Sequence, residues 1–308
     1  MDVDVIIPLY KPGKELFALL KLLDKQTVPI HQIILMNTEE KYFTQLTYGS
    51  RELENHKNVR VYHLSKREFD HGRTRRRGVQ KSQSDIFVMM TQDAVPADQH
   101  LLERLTVHLM RDEKVAVAYA RQLPGKDCGV LERFTRRFNY PDESRIKSEE
   151  DLEELGIKTY MCSNVCAAYR RDVYEELGGF VRHTIFNEDM IYAAGAIKAG
   201  YRIAYEAEAC VYHSHNYTNS QQFHRNFDLG VSQAEHPEVF AGISSESEGK
   251  KLVREATAYL KEQRLQREIP HFYMQCVSKY AGYLLGKHYR RLPKSLVLRF
   301  TNNREYWQ

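Results

Sequence analysis

The sequence predicts an α/β fold: a mostly parallel sheet with helices on both faces, followed by a C-terminal helical extension. Three observations carry this. Short β-rich runs alternate with helical patterns through the first half of the chain, the signature of β-α-β units. The β signal stops after about Asn219, and helical periodicity replaces it. The 308 residues, 42% hydrophobic, suffice for one large domain and an appendage.

The elements follow in order. Val3–Ile7 reads as a strand closed by Pro8, and Leu16, Leu19, Leu20 and Leu23 then share one helical face. Gln32–Met36 and Val59–Tyr62 are the next strands. A helix begins near Gly72, before a strand at Ile86–Thr91. Leu101, Leu102, Leu105 and Leu109 stripe another helix, and Val115–Tyr119 is the fifth strand. Lys126–Lys158 is polar and reads as a loop with a short acidic helix over the sheet's open edge. Strand character returns at Ser163–Tyr169, and a helix over Arg171–Leu177 stops at Gly178-Gly179. A helix runs from near Asn187 to Lys198, ahead of two short strands at Ile203–Tyr205 and Ala209–Tyr212. Gln221–Gln233, Ser247–Gln266 and Phe272–Tyr289 read as three further helices. A soft boundary near residue 230 divides a domain over 1–230 from an extension over 231–308.

Composition excludes some classes. The longest apolar run, Ile86–Met90, is far short of the roughly 20 residues of a spanning helix, so a multi-pass transporter is ruled out. No basic leader or cleavage site is visible at the N-terminus. The five cysteines show no CxxC spacing, and reduced thiols in the cytosol are expected. The charge is uneven. His271–Gln308 holds seven Lys or Arg and one acid, a net +6, which leaves about −2 for the rest of a chain whose total is +4. Such a tail suggests an anionic partner, lipid head groups or nucleic acid.

Ligands of parallel sheets collect at the carboxyl ends of strands, so polar residues there matter most. Val5-Ile6-Ile7-Pro8-Leu9-Tyr10, with Asn37 to Glu39 after the second strand, can form a nucleobase and ribose slot; a buried strand that merely ends in proline is the other reading. Phe69-Asp70-His71-Gly72-Arg73-Thr74-Arg75-Arg76-Arg77 sets four arginines around a helix start, a site for a diphosphate or simply a solvated basic face. Thr91-Gln92-Asp93 brings a carboxylate off a buried strand, where a divalent cation, a helix cap or a salt bridge would compensate it. Asn187-Glu188-Asp189 opens a helix; its acids serve as ordinary caps, or one is a general base. His213 and His215, two residues apart, are candidates for metal or diphosphate.

Taken together, these segments resemble a family-2 inverting glycosyltransferase with the GT-A fold, most similar to its bacterial rhamnosyltransferase branch. Further segments carry the likeness: Cys162-Ser163-Asn164-Val165-Cys166, Leu177-Gly178-Gly179-Phe180, Ala199-Gly200-Tyr201 and Val211-Tyr212-His213-Ser214-His215. The resemblance implies that Pro8, Tyr10, Asn37, Glu39, Arg75, Gln92 and Asp93 surround the sugar nucleotide. It makes Asp93 the last acid of the DxD motif, holding Mg²⁺ or Mn²⁺ with His213. Asp189 is then the catalytic base, and Asn164 and Glu188 shape the acceptor site. Three positions depart from the pattern: Thr91 stands where the first DxD acid is usual, Asn37 where an acid is common, and Arg76 where many members have asparagine.

The expected activity is inverting transfer of L-rhamnose from dTDP-β-L-rhamnose to a saccharide, lipid-linked, in cell-surface polysaccharide synthesis. The alternatives are a UDP-hexose donor, or a non-catalytic partner of a polysaccharide-assembly complex. The mixed apolar and basic stretch Tyr280–Arg291 suggests peripheral contact with an anionic membrane at its cytoplasmic face; packing on the body or in a homodimer is the other reading. No nucleic-acid signature accompanies the basic clusters, and no nucleic-acid partner is expected.

Overall fold

Nine strands form one sheet in the computed structural model, which describes residues 2–242 and 246–308. They are β1 (Val3–Tyr10), β2 (Ile30–Thr38), β3 (Val59–Leu64), β4 (Ile86–Met90), β5 (Val95–Pro96), β6 (Val115–Leu123), β7 (Arg145–Lys147), β8 (Cys166–Arg170) and β9 (Arg202–Tyr212). The spatial order is β3-β2-β1-β4-β8-β6-β9-β5, with β7 on β9. Neighbours from β3 through β4 are parallel, as are β6 and β9, while β8 runs antiparallel between β4 and β6. The expected α/β class is the one observed, with a sheet that is mixed beyond β4.

The helices are α1 (Glu15–Leu23), α2 (Glu40–Thr47), α3 (His71–Lys81), α4 (Leu101–Arg111), α5 (Val130–Asn139), α6 (Leu152–Leu155), α7 (Arg171–Glu176), α8 (Glu188–Lys198), α9 (Asn219–Glu235), α10 (Pro237–Phe240), α11 (Glu246–Glu262), α12 (Ile269–Lys287) and α13 (Lys294–Phe300). Two expectations are corrected. The stretch from Lys126 is not only loop: α5 forms there, with Leu131 and Phe134, both partly buried, packed against Ala256, Leu260 and Phe272. The two short strands near 203 and 209 are one strand, β9, whose register against β6 shifts between Ala120 and Arg121.

Contacts divide the chain into two units. The first comprises the chain up to Leu123, Tyr140–His183 and Glu188–His213; the second comprises Pro124–Asn139, Thr184–Asn187 and Ser214–Gln308.

The first unit holds the sheet. Val5, Ile7 and Leu9 point to one face and pack with the leucines of α1 and α4. Ile6 and Met36 point to the other and meet α3. Beyond them Phe87 stacks on Tyr169, ring centroids 5.2 Å apart, with Tyr174, Phe180 and Tyr192 closing an aromatic cluster. Burial on both faces is what makes the parallel strands continuously apolar. It also leaves the carboxyl ends of β1, β2 and β4 as the places where polar side chains emerge. The second unit is helical, with α9 and α12 as its central pair.

Candidate active site

At the carboxyl end of β1, Tyr10 leaves the sheet beside Gln92, which follows β4. The Tyr10 backbone N–H donates to Gln92 Oε1 (2.9 Å), and Gln92 Nε2 donates back to the Tyr10 carbonyl (3.1 Å). This pair of bonds ties the ends of two adjacent strands. Tyr10 is exposed and meets Tyr42 edge-on at 5.8 Å, with the Lys11 ammonium 5.3 Å from both rings. Lys11 and Glu39 both have positive φ, at 48° and 67°, so the chain turns sharply at both strand ends.

Glu39 Oε1 accepts the Lys66 backbone N–H (2.8 Å) and Oε2 lies 3.3 Å from Lys41; these contacts hold its carboxyl below the usual range. Asn37 is fully buried: its Nδ2 donates to the Glu39 carbonyl (3.2 Å) and to His63 Nδ1 (2.9 Å). Pro8, Tyr10, Asn37, Glu39 and Gln92 thus gather along one sheet end, with Asn37 beneath the surface.

The arginine cluster is largely used internally. Asp70 caps α3 by accepting from the Gly72 and Arg73 N–H groups, each at 2.9 Å. Gly72 is required there, since a Cβ would stand 1.9 Å from the Val181 carbonyl oxygen. Arg76 donates to the carbonyls of Gly178 and Phe180, and Arg77 lies 3.3 Å from Glu68. Arg75 is buried, with its Nε 3.1 Å from Glu188 Oε1.

That contact leads to the two acids at the start of α8. Asn187, just before them, has a φ of 64° and turns the chain into the helix. Asn164 reaches both acids: its Nδ2 donates to Glu188 Oε1 (3.0 Å), and its backbone N–H donates to Asp189 Oδ2 (2.9 Å). The Tyr169 hydroxyl fixes the Asn164 amide by donating to Oδ1 (2.7 Å). The Met190 N–H donates to Asp189 Oδ1 (2.8 Å).

Glu188 is buried and Asp189 is partly exposed. Burial opposes the Glu188 charge, but Arg75, then His71 and the Asn164 amide, outweigh it and hold the carboxyl below its usual range. Burial and the neighbouring Glu188 charge push Asp189 the other way, up to about 7. Two adjacent carboxyls are thereby separated into a permanent anion and a group that titrates near neutrality.

Asp93 and His213 form a third group. Asp93 Oδ2 and His213 Nε2 are 3.6 Å apart. Buried Gln122 on β6 holds one nitrogen of the imidazole. Its Oε1 lies 3.0 Å from His213 Nδ1 and can only accept, so Nδ1 carries a hydrogen, and the neutral ring then presents the Nε2 lone pair on the Asp93 side. A carboxylate oxygen and an imidazole nitrogen at this separation fit two ligands of one divalent cation, Mn²⁺ more naturally than Mg²⁺. Gln122 also donates to Ser163 Oγ (2.9 Å) and the Tyr140 hydroxyl (2.6 Å). It therefore joins the Asp93–His213 pair to the loop that carries Asn164. Gln122 escapes a reading of the sequence alone. Its one signal is a buried-strand pattern that is apolar as far as Ala120 and then turns polar, Val115-Ala116-Val117-Ala118-Tyr119-Ala120-Arg121-Gln122.

Residues 4–178 match the model of glycosyl transferase family 2. The O-antigen chain rhamnosyltransferase RfbN of Salmonella typhimurium is 38% identical over 311 residues, covering 100% of this chain and 96% of that protein. The O-antigen chain rhamnosyltransferase WbaN of Salmonella anatum is 39% identical over 308 residues, covering 98% and 95%. Among solved structures, mannosyltransferase PcManGT from Pyrobaculum calidifontis, in complex with GDP-Man and Mn²⁺, superposes with a TM-score of 0.56 at 16% identity, covering 99% of this chain and 82% of that one. Residues 1–349 of S. aureus TarS with UDP-GlcNAc give 0.54 at 13% identity, covering 94% and 92%. The structural likenesses establish the GT-A fold. With the family model matching more than half of the chain and both relatives matching nearly all of it, the protein belongs to glycosyl transferase family 2 and is a glycosyltransferase.

Proposed function

We propose that this enzyme transfers L-rhamnose from dTDP-β-L-rhamnose to a saccharide hydroxyl, with inversion at the anomeric carbon, during cell-surface polysaccharide synthesis. The observation that carries the chemistry is the Glu188–Asp189 pair, with one carboxyl held ionised and the other raised to about 7. The names of the two Salmonella relatives support rhamnose as the sugar.

In this reading Asp189 accepts the proton of the acceptor hydroxyl. The oxygen attacks C1 from the face opposite the diphosphate, the C1–O bond to the leaving group breaks, and dTDP departs. Asn164 aims the base through its backbone N–H, and Glu188, neutralised by Arg75, keeps that loop in place while shaping the acceptor side. Tyr10, Pro8, Gln92 and Glu39 line the base and ribose slot, supported from below by Asn37. Asp93 and His213 would hold Mg²⁺ or Mn²⁺. That ion, when bound, would offset the charge that develops on the departing diphosphate. The acceptor is carried on a lipid at the cytoplasmic membrane face, which the protein reaches from the aqueous side; no helix among the described residues is long and apolar enough to cross a membrane.

A panel of dTDP-rhamnose, UDP-glucose, UDP-galactose and UDP-GlcNAc tests the donor by thermal shift and turnover. A bound donor must raise the apparent stability. Selective stabilisation and turnover with dTDP-rhamnose is the expected result. A UDP-hexose as the sole productive donor overturns the sugar assignment, and binding without turnover on any donor overturns the enzymatic reading of Asp189.

A further inference from the structure

The stretch Tyr280–Arg291 reads in the sequence as an apolar face for a membrane, but its apolar residues mostly turn inward. Tyr283 is buried, and Leu285 packs on the Phe227–Val231–Val297 cluster. The face of α12 on α9 is held at backbone contact by glycines. A Cβ on Gly282 would stand 2.2 Å from the Phe223 carbonyl oxygen, one on Gly286 2.1 Å from that of Phe227, and one on Gly230 2.3 Å from that of Tyr283. The helix is therefore fixed in rotation about its own axis.

The opposite face is exposed and apolar. Tyr273, Val277 and Tyr280 are 46%, 62% and 50% exposed, with half-buried Leu284 continuing their line and Met274 beside it at 56%. The spacing i, i+4, i+7, i+11 puts four side chains on one stripe. The helix ends in exposed Lys287, on the same stripe by spacing, and exposed His288, Arg290, Arg291 and Lys294 follow in sequence.

We propose that this stripe lies in the plane of an anionic phospholipid bilayer, with tyrosines, valine and methionine at the acyl boundary and the basic C-terminal end on the head groups. Charge decides the occupant. From His271 to Gln308 the sole acid is Glu305 against seven Lys or Arg, so a second copy of this surface brings no complementary charge, whereas an anionic leaflet does. Tyrosine suits the interface, with an apolar body and a polar tip. The inference deepens the reading that the acceptor is lipid-linked, and rests on it.

Co-sedimentation of the full chain with vesicles of phosphatidylcholine containing about 30% phosphatidylglycerol, against phosphatidylcholine alone, tests it. Wild type binds the anionic vesicles. Neutralising Lys287, Arg290, Arg291 and Lys294 to Gln weakens partitioning about fivefold per residue, the equivalent of about 1 kcal/mol each. Tyr273→Ser with Val277→Ser and Tyr280→Ser weakens it about tenfold or more. A single Val277→Trp becomes quenchable by brominated lipid. Rhamnosyl transfer to a water-soluble saccharide stays unchanged in all of these variants, which separates the surface from the catalytic reading. Unaltered sedimentation of the triple Ser variant, an unquenched Val277→Trp, or a stripe-dependent dimer that ignores vesicles overturns the proposal.

Discussion

Replacing the proposed base with its neutral isostere should favour the folded state increasingly as pH rises, while turnover is nearly lost. Asp189 moves from its ordinary pKa of 3.8 in the unfolded chain to about 7 in the fold. Its raised value means that the folded state binds more protons than the unfolded state between those two limits. The native state is therefore favoured below pH 4 and loses that advantage as pH rises toward 7. The amide in the Asp189→Asn variant has no proton to lose; its oxygen can still accept the Asn164 N–H, while its NH2 group faces the Met190 N–H, a cost that does not change with pH. With 1.36 kcal/mol per pKa unit, the titration of Asp189 contributes about 2 kcal/mol in favour of the variant at pH 5 and about 4 at pH 8. The growth between the two, about 2–3 kcal/mol, corresponds to a melting difference of about 5 °C for a chain of this size. Thermal melts of both proteins at pH 5 and pH 8 read this directly, with turnover falling about 10²–10⁴-fold in parallel. A melting difference that is the same at both pH values, or one that favours wild type more at pH 8 than at pH 5, would refute the assignment of a raised carboxyl at this position.

Other consequences follow from the same geometry. The pH profile of kcat/KM for wild type should climb as Asp189 ionises through about 7 and level off above it; a flat profile from pH 5 to 8 contradicts a base at this residue. Gln122→Leu removes the acceptor that fixes the His213 tautomer and should weaken Mn²⁺ binding about 10–100-fold by calorimetry, whereas Gln122→Glu, which can still accept from Nδ1, should retain it. Arg75→Met leaves the buried Glu188 carboxylate without its nearest cation and should cost about 3 kcal/mol in denaturant unfolding. A loss under about 0.5 kcal/mol would show that the pair does not hold the site together.

The first unit was legible because its strands and helices carry their own local patterns. Val3–Ile7 and Ile86–Met90 are buried whole, and the leucines of α1 and α4 fall on the faces that their spacing indicates. What escaped is what depends on distant partners. The helix α5 looked like loop because Glu132, Arg133, Arg136 and Arg137 crowd its sequence; its apolar contacts are Leu131 and Phe134, partly buried on residues of α11 and α12. The continuous β9 looked interrupted at Glu206, whose charge is met by His108 at 2.6 Å and Ser144 at 2.8 Å. In the site, the adjacent acids were visible as a pair, but their unequal environments were not. Arg75 lies 113 residues from Glu188, and no periodicity announces that contact. Gln122 was hidden for a similar reason: its partner His213 arrives through the parallel pairing of β6 with β9.

The chemistry turns on where one carboxylate stands when both substrates are bound. A crystal structure of the enzyme with a non-transferable dTDP-rhamnose analogue and a saccharide acceptor measures it. The role of base requires an Asp189 oxygen about 2.6–3.2 Å from the acceptor hydroxyl, on the side of C1 away from the diphosphate. An acceptor hydroxyl out of reach of Asp189 even through one water, or bound on the diphosphate side of C1, contradicts it.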